Sequence, residues 1–368
     1  MLLLSIIGTM PSGGLMATVV IFGAGVMGSA TAFPLTDNGH DVRLVGTHLD
    51  DEIIDSVRTR GYHPTLKRRL PERATAFRYT ELADALRGAD FILSGVNSYG
   101  VRWAAETLAP ALTAPLPVIA ITKGLDCTEQ GDIVALTTVY EEALEAAGAP
   151  HCDVSGVGGP CIAGELAGRR QSCVVFASST REQADWFAAH FRTPYYHVWT
   201  TADLLGLEVA AALKNAYTLP VAIASGFLER EGEADEANAQ MHNLEAAVFG
   251  QGVAEIRYLL QVCGQPSLFA ASLPGAGDYY VTCAGGRNMR FGRLLGSGRS
   301  LAQALDEMQG ITIESLSIIA AMARALPRLA ARGVIDRTRV PLLDHLICTV
   351  EDGRAEPFPL DAFFGDLC

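Results

Sequence analysis

Three glycines that directly follow a short apolar run constrain the fold of this chain more than any other feature. The run Thr18–Phe22 has the length and composition of a buried strand, and Gly23, Gly25 and Gly28 follow it in the spacing GxGxxG. The first glycine of such a loop permits a tight turn, the second lets a pyrophosphate approach the backbone, and the third lets the next helix pack on the strand. The phosphates then lie at the positive end of the helix dipole. This unit predicts a dinucleotide-binding fold.

Short apolar runs alternate with helical patterns along the first half of the chain. Asp41–Val45, Phe91–Ser94 and residues 118–122 are predicted strands. Further strand-like runs cover residues 154–157, 173–177 and 197–200. Runs that are apolar on both faces are typical of a parallel sheet covered by helices. We therefore expect an α/β, Rossmann-type domain with a doubly wound, mostly parallel sheet.

The pattern changes beyond Asp203, where helical periodicity dominates. The predicted helices cover residues 204–227, 244–263, 301–308, 313–326 and 342–349. We place the domain boundary near Thr200. The sequence thus predicts a dinucleotide-binding domain over residues 17–200 and an all-helical substrate and catalytic domain over 201–368, with 1–16 as an upstream extension.

Charge and composition exclude several kinds of partner. Hydrophobic residues make up 49% and charged residues 19% of the 368 residues, as in a well-buried globular protein. The formal net charge of -13 argues against nucleic acid and against an anionic membrane surface. A small anionic substrate must therefore be attracted by a local basic site. The apolar run 209–228 contains Lys214, Asn215 and Pro220, which favours a buried core helix over an integral membrane segment.

The eight cysteines show no metal-binding pattern. The sequence has no CxxC pair and no Cys/His cluster with zinc spacing, so we expect no metal site. Scattered cysteines of this kind are typical of reduced thiols in a cytosolic protein. The apolar start of the chain lacks a basic leader, which also favours a cytoplasmic location.

The residues after the second predicted strand bear on the identity of the cofactor. An NAD-specific site usually has an acid there to bond the ribose hydroxyls, but this chain has Gly46. Thr47 and His48 follow and could donate to a 2′-phosphate. Asp50 and Asp51 have the positions of helix N-terminal caps. The sequence therefore favours NADP slightly over NAD.

Two lysines are candidates for acid–base chemistry. Lys123 follows a predicted parallel strand, and ligands of open α/β sheets bind at the carboxyl ends of the strands. Lys214 is the only charged residue between Glu208 and Glu229, so we expect partial desolvation and a lowered pKa suited to proton exchange. The alternatives are a solvated surface lysine at position 123 and, at position 214, a side chain that reaches out to a surface carboxylate.

The segment 274–292 combines glycines with one acid and several arginines. Glycine lets backbone N–H groups approach a ligand, and the arginine fork matches phosphate oxygens. We therefore predict a phosphate site on this loop, with Arg287 and Asn288 downstream of Asp278. Asp278 is also a natural partner for the ammonium group of Lys214, and Asn215 could bond a substrate oxygen. The alternative is a flexible surface loop with solvated arginines.

With these residues in place, the chain resembles the soluble, nicotinamide-dependent glycerol-3-phosphate dehydrogenase family. The matching motifs stand in the family's order and cover almost all of residues 17–350. They are GAGVMG (23–28), ITKGL (121–125), GGPCIAGEL (158–166), EVAAALKNAY (208–217) and GAGDYYVTCAGGRNMRFG (275–292). The segments VGTHLDDEI and GYHPTL look most like an archaeal-type branch, some of whose members use NADP.

The resemblance implies hydride transfer between NAD(P)H and dihydroxyacetone phosphate, giving sn-glycerol 3-phosphate. It implies that Lys214 exchanges the proton, that Lys123 is the second catalytic lysine and that Asp278 orients both. The implied substrate contacts are Lys123, Gly159, Cys161, Lys214, Asn215, Asp278, Thr282, Arg287 and Asn288. The implied cofactor contacts are Gly23, Gly25, Met27, Gly28, Thr47, Asn97, Lys123, Ala163, Arg287 and Glu314. Family members are often homodimers.

Several departures from the family pattern leave the substrate open. The family commonly has Asn, Thr or Ser at Cys161, a basic residue at Gln251 and glycine at Ala211, and Val-Pro-Ser where residues 95–98 read GVNS. A different polyol phosphate is one alternative. A 3-hydroxyacid dehydrogenase or ketopantoate reductase of the same architecture is another, although those enzymes recognise a carboxylate. A non-catalytic NAD(P)-binding sensor is the third.

Overall fold

The fold is described from a computed structural model, which describes residues 16–232 and 238–365. The predicted extension, except Met16, lies outside the described residues. The strands are β1 Thr18–Phe22, β2 Asp41–Val45, β3 Tyr62–His63, β4 Arg68–Arg69, β5 Ala74–Phe77, β6 Phe91–Ser94, β7 Val118–Ala120, β8 Leu125–Cys127, β9 Ile133–Ala135, β10 Val154–Gly158, β11 Ser172–Ala177 and β12 Tyr196–Thr201. Seven α-helices accompany them within these ranges: α1 Val26–Asp37, α2 Asp51–Arg60, α3 Leu82–Leu86, α4 Val101–Leu108, α5 Leu136–Ala146, α6 Ala163–Ala167 and α7 Arg181–Phe191.

One large sheet forms the core of the first half. Its eight strands lie in the order β12-β11-β10-β7-β6-β1-β2-β5, and only the pair β10–β11 is antiparallel. Buried apolar side chains cover both faces of this sheet, in two separate clusters. The prediction of a Rossmann-type, mostly parallel sheet is confirmed.

In the described residues after the sheet, 202–232 and 238–365, the regular elements are all helices. They are α8 Leu204–Glu231, α9 His242–Val262, α10 Asp278–Cys283, α11 Arg287–Gly296, α12 Leu301–Asp306, α13 Glu314–Ala331 and α14 Pro341–Asp352. The predicted helical region is thus confirmed. The last strand ends at Thr201 and α8 begins at Leu204, and the domain boundary near Thr200 stays a prediction.

The long helix α8 lies at the centre of the helical part. Its residues are buried almost continuously from Gly206 to Phe227, as predicted for a core helix. No helix within residues 16–232 and 238–365 combines the length and the apolar character needed to cross a membrane. Helix α11 crosses α8 very closely, because a Cβ atom on Gly292 would clash with Ala222 and one on Gly296 with the Ile223 carbonyl. Helix α11 therefore lies directly against α8.

Two predictions about local structure are wrong. The strand predicted over residues 118–122 ends at Ala120, although the Ile121 N–H still donates to the Ser94 oxygen of β6 at 3.1 Å. The segment 274–292 is not one loop but a π-helical turn over Leu273–Gly277 followed by α10 and α11. The many glycines of this segment indicated a loop, because glycine is unfavourable within helices. Asp278 in the first turn of α10 is nevertheless a favourable acid at a helix N-terminus.

Candidate active site

Four parallel strands end together and place the predicted functional loops on one edge. Phe22 of β1 lies opposite Val45 of β2 and opposite Ser94 of β6, and Ser94 lies opposite Ala120 of β7. The glycine loop, Thr47, Asn97 and Lys123 follow these strands in turn. The carboxyl edge of an open parallel sheet is where such folds bind ligands.

The glycine loop has the close contacts that its spacing predicts. Gly23 has a φ of +112°, and a Cβ atom there would lie 2.8 Å from the Gly95 carbonyl carbon. A Cβ atom on Gly28 would lie 2.5 Å from the Gly23 oxygen. Gly25 is the N-cap residue of α1, where helix N–H groups are free to face a phosphate. The residues present therefore fit a dinucleotide.

Gly28→Ala is expected to destabilise the protein and weaken dinucleotide binding. The added methyl group must displace the Gly23 backbone, and overpacking of this kind costs about 1–3 kcal/mol. Gly164→Ala in α6 is the matched control, because a Cβ atom there meets nothing within 4 Å. Urea unfolding and cofactor titration measure both effects. Equal stability of the two variants would contradict this close packing of the loop.

Asp50 and His63 support the glycine loop, a role that the sequence analysis missed for both residues. Asp50 stands at the N-cap position of α2 but makes no cap bond, so that part of the prediction is wrong. Its Oδ2 atom instead accepts from the Ala24 N–H at 3.2 Å and from the Thr47 N–H and hydroxyl, both at 2.8 Å. The buried His63 accepts the Leu66 N–H at Nδ1, so its Nε2 carries the proton and donates to the Ala24 oxygen at 2.9 Å. No local sequence signal distinguishes these roles from capping and core packing.

Both predicted lysines converge on one carboxylate. Lys123 Nζ lies 2.5 Å from Oδ2 of Asp278, and Lys214 Nζ lies 3.0 Å from its Oδ1. The Thr282 hydroxyl donates to the Asp278 backbone oxygen at 2.7 Å and accepts from Lys214 at 2.6 Å. The ammonium group of Lys214 therefore donates two of its three N–H bonds to protein acceptors, and the third can be donated to a ligand.

Burial and charge set different pKa values for the two lysines. Burial lowers the pKa of Lys214 to about 8, although Asp278 opposes the shift, and the nearby Lys123 lowers the pKa further. Burial also acts on Lys123, but the attraction of Asp278 outweighs it and the pKa of Lys123 is raised. The pKa of Asp278 is lowered, because both lysines outweigh its burial. One lysine thus stays charged while the other can exchange a proton near neutral pH.

A cavity of about 410 Å³ opens beside this cluster. The predicted site residues on its wall are Lys123, Cys161, Lys214, Asn215, Asp278, Thr282, Arg287, Asn288 and Glu314. Burial raises the pKa of Cys161 to about 12, so this residue faces the cavity as a neutral thiol. The wall also includes Ile162 and Val281, which sequence analysis missed because apolar residues in such segments look like core residues.

Glu314, the first residue of α13, joins two predicted ligand contacts. One of its carboxylate oxygens accepts from Arg287 at 3.1 Å and the other accepts from Asn215 at 3.1 Å. Arg287 and Asn288 are the first two residues of α11, and the Asn288 side chain accepts the Ser315 N–H at 3.4 Å. A helix N-terminus with an arginine and an asparagine is suited to a phosphate. Asp278 and Arg287 therefore reach the same cavity wall from two consecutive helices, α10 and α11, and not from one loop as predicted.

The remaining predicted contacts lie outside the cavity wall. Gly159 has a φ of +124° and its oxygen lies 3.5 Å from Lys123 Nζ. Asn97 uses its side-chain oxygen to cap the Gly100 N–H, and Ala163 begins α6. The others follow β1 and β2 at the sheet edge: Gly23, Gly25, Met27, Gly28 and Thr47. In residues 16–232 and 238–365 there is no group of three or more His, Cys, Asp or Glu side chains placed to hold a metal.

Gln251, which stands where the family commonly has a basic residue, lies away from the cavity. Gln251 donates to the buried Glu255 at 2.8 Å and accepts the Phe364 N–H at 3.0 Å. Glu255 also accepts from the Tyr217 hydroxyl and from the first N–H groups of α14. Burial raises the pKa of Glu255 to about 7. Gln251 therefore serves a core network that includes the described end of the chain.

A glycine loop that fits a dinucleotide, two lysines paired with one buried aspartate, and a helix that begins with an arginine and an asparagine together define a two-domain Rossmann-type dehydrogenase. Residues 18–184 match the N-terminal part of the NAD-dependent glycerol-3-phosphate dehydrogenase family, and residues 203–355 match its C-terminal part. The chain belongs to this family.

Individual relatives agree with this assignment. The NADP(+)-dependent glycerol-3-phosphate dehydrogenase of Archaeoglobus fulgidus is 33% identical over 291 residues, covering 79% of this chain and 83% of that protein. The glycerol-3-phosphate dehydrogenase [NAD(P)+] of Shouchella clausii is 33% identical over 305 residues, covering 82% and 84%. The crystal structure of glycerol-3-phosphate dehydrogenase from Coxiella burnetii has the same fold, with a TM-score of 0.74, 24% identity and coverage of 94% and 97%.

Proposed function

We propose that this protein is an NAD(P)-dependent oxidoreductase that interconverts dihydroxyacetone phosphate and sn-glycerol 3-phosphate. The observation that carries the proposal is the cavity itself. It has Lys214, Lys123 and Asp278 on its wall together with Arg287 and Asn288 at a helix N-terminus. A carbonyl and a phosphate on one small molecule match these two kinds of group, and the two curated relatives bear the names of this activity.

The residues have separable tasks in this reaction. The glycine loop would hold a nicotinamide dinucleotide, whose chemistry when bound would be to give or take the hydride. Lys214, which faces the cavity with a lowered pKa, protonates the alkoxide that forms as the carbonyl is reduced, and removes that proton in the reverse direction. Lys123 stays charged and polarises the carbonyl oxygen, while Asp278 holds both lysines. Arg287 and Asn288 bind the phosphate.

A turnover assay with dihydroxyacetone phosphate and NADPH tests the proposal. Production of sn-glycerol 3-phosphate supports it. Turnover of ketopantoate or a 3-hydroxyacid instead would assign a related dehydrogenase, and dinucleotide binding without turnover of any of them would indicate a sensor. Assembly as a homodimer and a cytoplasmic location are further parts of the proposal, supported by the family resemblance.

The pH dependence of kcat/KM is expected to have opposite signs in the two directions. Reduction needs Lys214 as the ammonium, so its rate should fall as the pH rises through about 8, whereas oxidation needs the neutral amine and should rise over the same range. Asp278, Lys123 and Glu314 are the charged groups that act on Lys214. Initial rates in both directions measure this dependence, with cofactor Kd at each pH as the control. Profiles that move in the same direction would remove Lys214 from the proton transfer.

NADPH is expected to serve at least as well as NADH. Gly46 leaves no acid at the end of β2, and the carboxylate of Asp50 is already bonded to Ala24 and Thr47. The comparison is kcat/KM for each cofactor at a fixed concentration of dihydroxyacetone phosphate, with Asp50→Asn measured in parallel. A strong preference for NADH that Asp50→Asn abolishes would show instead that Asp50 binds the ribose hydroxyls.

A further inference from the structure

The distance between the two catalytic lysines depends on how α8 sits on the sheet. Lys123 follows β7, whereas Lys214 lies within α8, and both must reach Asp278. The first turns of α8 rest on glycines of β10. A Cβ atom on Gly156 would lie 2.8 Å from Oε1 of Glu208, and one on Gly158 would lie 3.0 Å from the Leu207 side chain.

Glu208 is an unexpected residue at this contact. It is 5% exposed, and among the described residues no cation pairs with its carboxylate. Burial raises its pKa to about 7, against the opposing effect of the bonds from Thr137. A buried carboxyl group is costly unless hydrogen bonds compensate it. If position 208 served only for packing, an apolar side chain would therefore be more favourable there than glutamate.

The carboxylate of Glu208 caps a helix of the other half of the protein. Its Oε2 atom accepts the Thr137 backbone N–H at 3.2 Å and the Thr137 hydroxyl at 2.9 Å. Thr137 is the second residue of α5, whose own N-cap residue, Ala135, has no side chain that could cap it. Glu208 thus satisfies an N–H group that no local residue serves, and it ties α8 to the start of α5.

The contact between Glu208 and Thr137 also connects to Lys123. Leu136 precedes Thr137, and its side chain fills the space beside Gly124, where a Cβ atom would clash with it. Gly124 directly follows Lys123. On the other side, Lys214 lies six residues beyond Glu208 on the same helix, about 9 Å along its axis at 1.5 Å per residue. Glu208 and Thr137 therefore complete a closed path of contacts between the two lysines.

We propose that Glu208 and Thr137 form a positioning pair that sets the separation of Lys123 and Lys214 at Asp278. Neither residue lies on the wall of the cavity, so the pair acts through α8 and the segment that carries Lys123. This inference rests on the proposed function of the two lysines. A misplacement of about 1 Å at a catalytic group can lower a rate by about 10²-fold, so loss of the tie should be visible in kcat.

The test uses the full-length chain with four substitutions. Glu208→Leu removes the acceptor, Thr137→Val removes one donor at nearly constant shape, and Thr137→Ser retains both donors. Glu141→Leu is the control, because Glu141 of the same helix α5 bonds the Val154 N–H of β10 at 2.6 Å, and its loss leaves both bonds between Thr137 and Glu208 in place. The charge of Glu141 raises the pKa of Glu208, so its removal does not weaken Glu208 as an acceptor. Melting temperatures show that each variant is folded.

The first readout is kcat for dihydroxyacetone phosphate reduction, with cofactor Kd measured beside it. Glu208→Leu should lower kcat by about tenfold or more and Thr137→Val by about threefold or more, whereas Thr137→Ser should match the wild type. If Glu208→Leu does not fold, Thr137→Val decides. Wild-type kcat in Thr137→Val, or an equal loss in Glu141→Leu, would overturn the proposal.

The second readout does not depend on turnover. Acetylation of Lys214 by acetic anhydride, followed by peptide mass spectrometry across pH, reports the pKa of this lysine, near 8 in the wild type. In Thr137→Val and Glu208→Leu the midpoint should move to lower pH, because Asp278 raises the pKa of Lys214 more than Glu314 does, and a longer distance to Asp278 weakens that effect. An unmoved midpoint would overturn the positioning role. A wild-type protein that shows no turnover would refute the proposed function, and the midpoint would still decide the positioning role.

Discussion

Lys214→Met is expected to lower kcat for dihydroxyacetone phosphate reduction by about 10²–10⁴-fold, the usual contribution of a positioned proton donor. Lys214 is 5% exposed, and its ammonium group contacts Asp278 and Thr282. Methionine fills nearly the same volume but has no proton to transfer. Cofactor binding should survive, because the bonds of the Lys214 ammonium group go to Asp278 and Thr282 and not to the glycine loop or Thr47.

The substitution leaves the folded protein testable. Asp278 keeps Lys123 at 2.5 Å, so no buried carboxylate is left without a cation. Lys67→Met is the matched control, because Lys67 is exposed and lies outside the cavity. Steady-state kinetics, NADPH titration and melting temperature are measured on both variants. If Lys214→Met keeps more than about half of the wild-type kcat, then another group transfers the proton.

Arg287→Ala is expected to lower kcat/KM for dihydroxyacetone phosphate by at least about tenfold and up to a hundredfold or more. Hydrogen bonds to charged groups contribute about 1.5–3 kcal/mol each, and a factor of ten corresponds to about 1.4 kcal/mol. Arg287 is the first residue of α11, on the cavity wall, so its guanidinium and the helix N-terminus face the same space. The loss should shrink sharply for dihydroxyacetone, which has no phosphate.

Arg290→Ala is the matched control for the phosphate-binding role of Arg287. Arg290 lies on the same helix and bonds the Glu307 backbone oxygen, but it is not on the wall of the catalytic cavity. Because Arg287 also bonds Glu314, a predicted cofactor contact, Kd for NADPH must be measured on each variant. An equal fractional loss of kcat/KM on both substrates, with unchanged cofactor affinity, would leave the phosphate site unassigned.

Features that depend on a few neighbouring residues could be predicted from the sequence. The GxGxxG loop at Gly23, the parallel strands and the buried helix around Lys214 all follow from local periodicity and steric limits. Lys123 could be assigned to the carboxyl edge of the sheet in the same way, because it follows a predicted strand in the sequence. The family resemblance added candidate roles for residues such as Ala163 and Glu314, whose local sequence shows no chemistry by itself.

The tertiary structure alone decided how close these groups lie to one another. Asp278 bonds Lys123 and Lys214 across 155 and 64 residues of chain, and no local pattern specifies such distances. Asp50 illustrates the same limit, since its sequence position favours a helix cap whereas the fold turns its carboxylate to the glycine loop. Glu208 is a second case, because it caps a helix whose sequence lies 71 residues away. Local sequence determines which backbone conformations are favourable, but the partners of a buried charge are determined by the packing of whole elements, which depends on every contact between them.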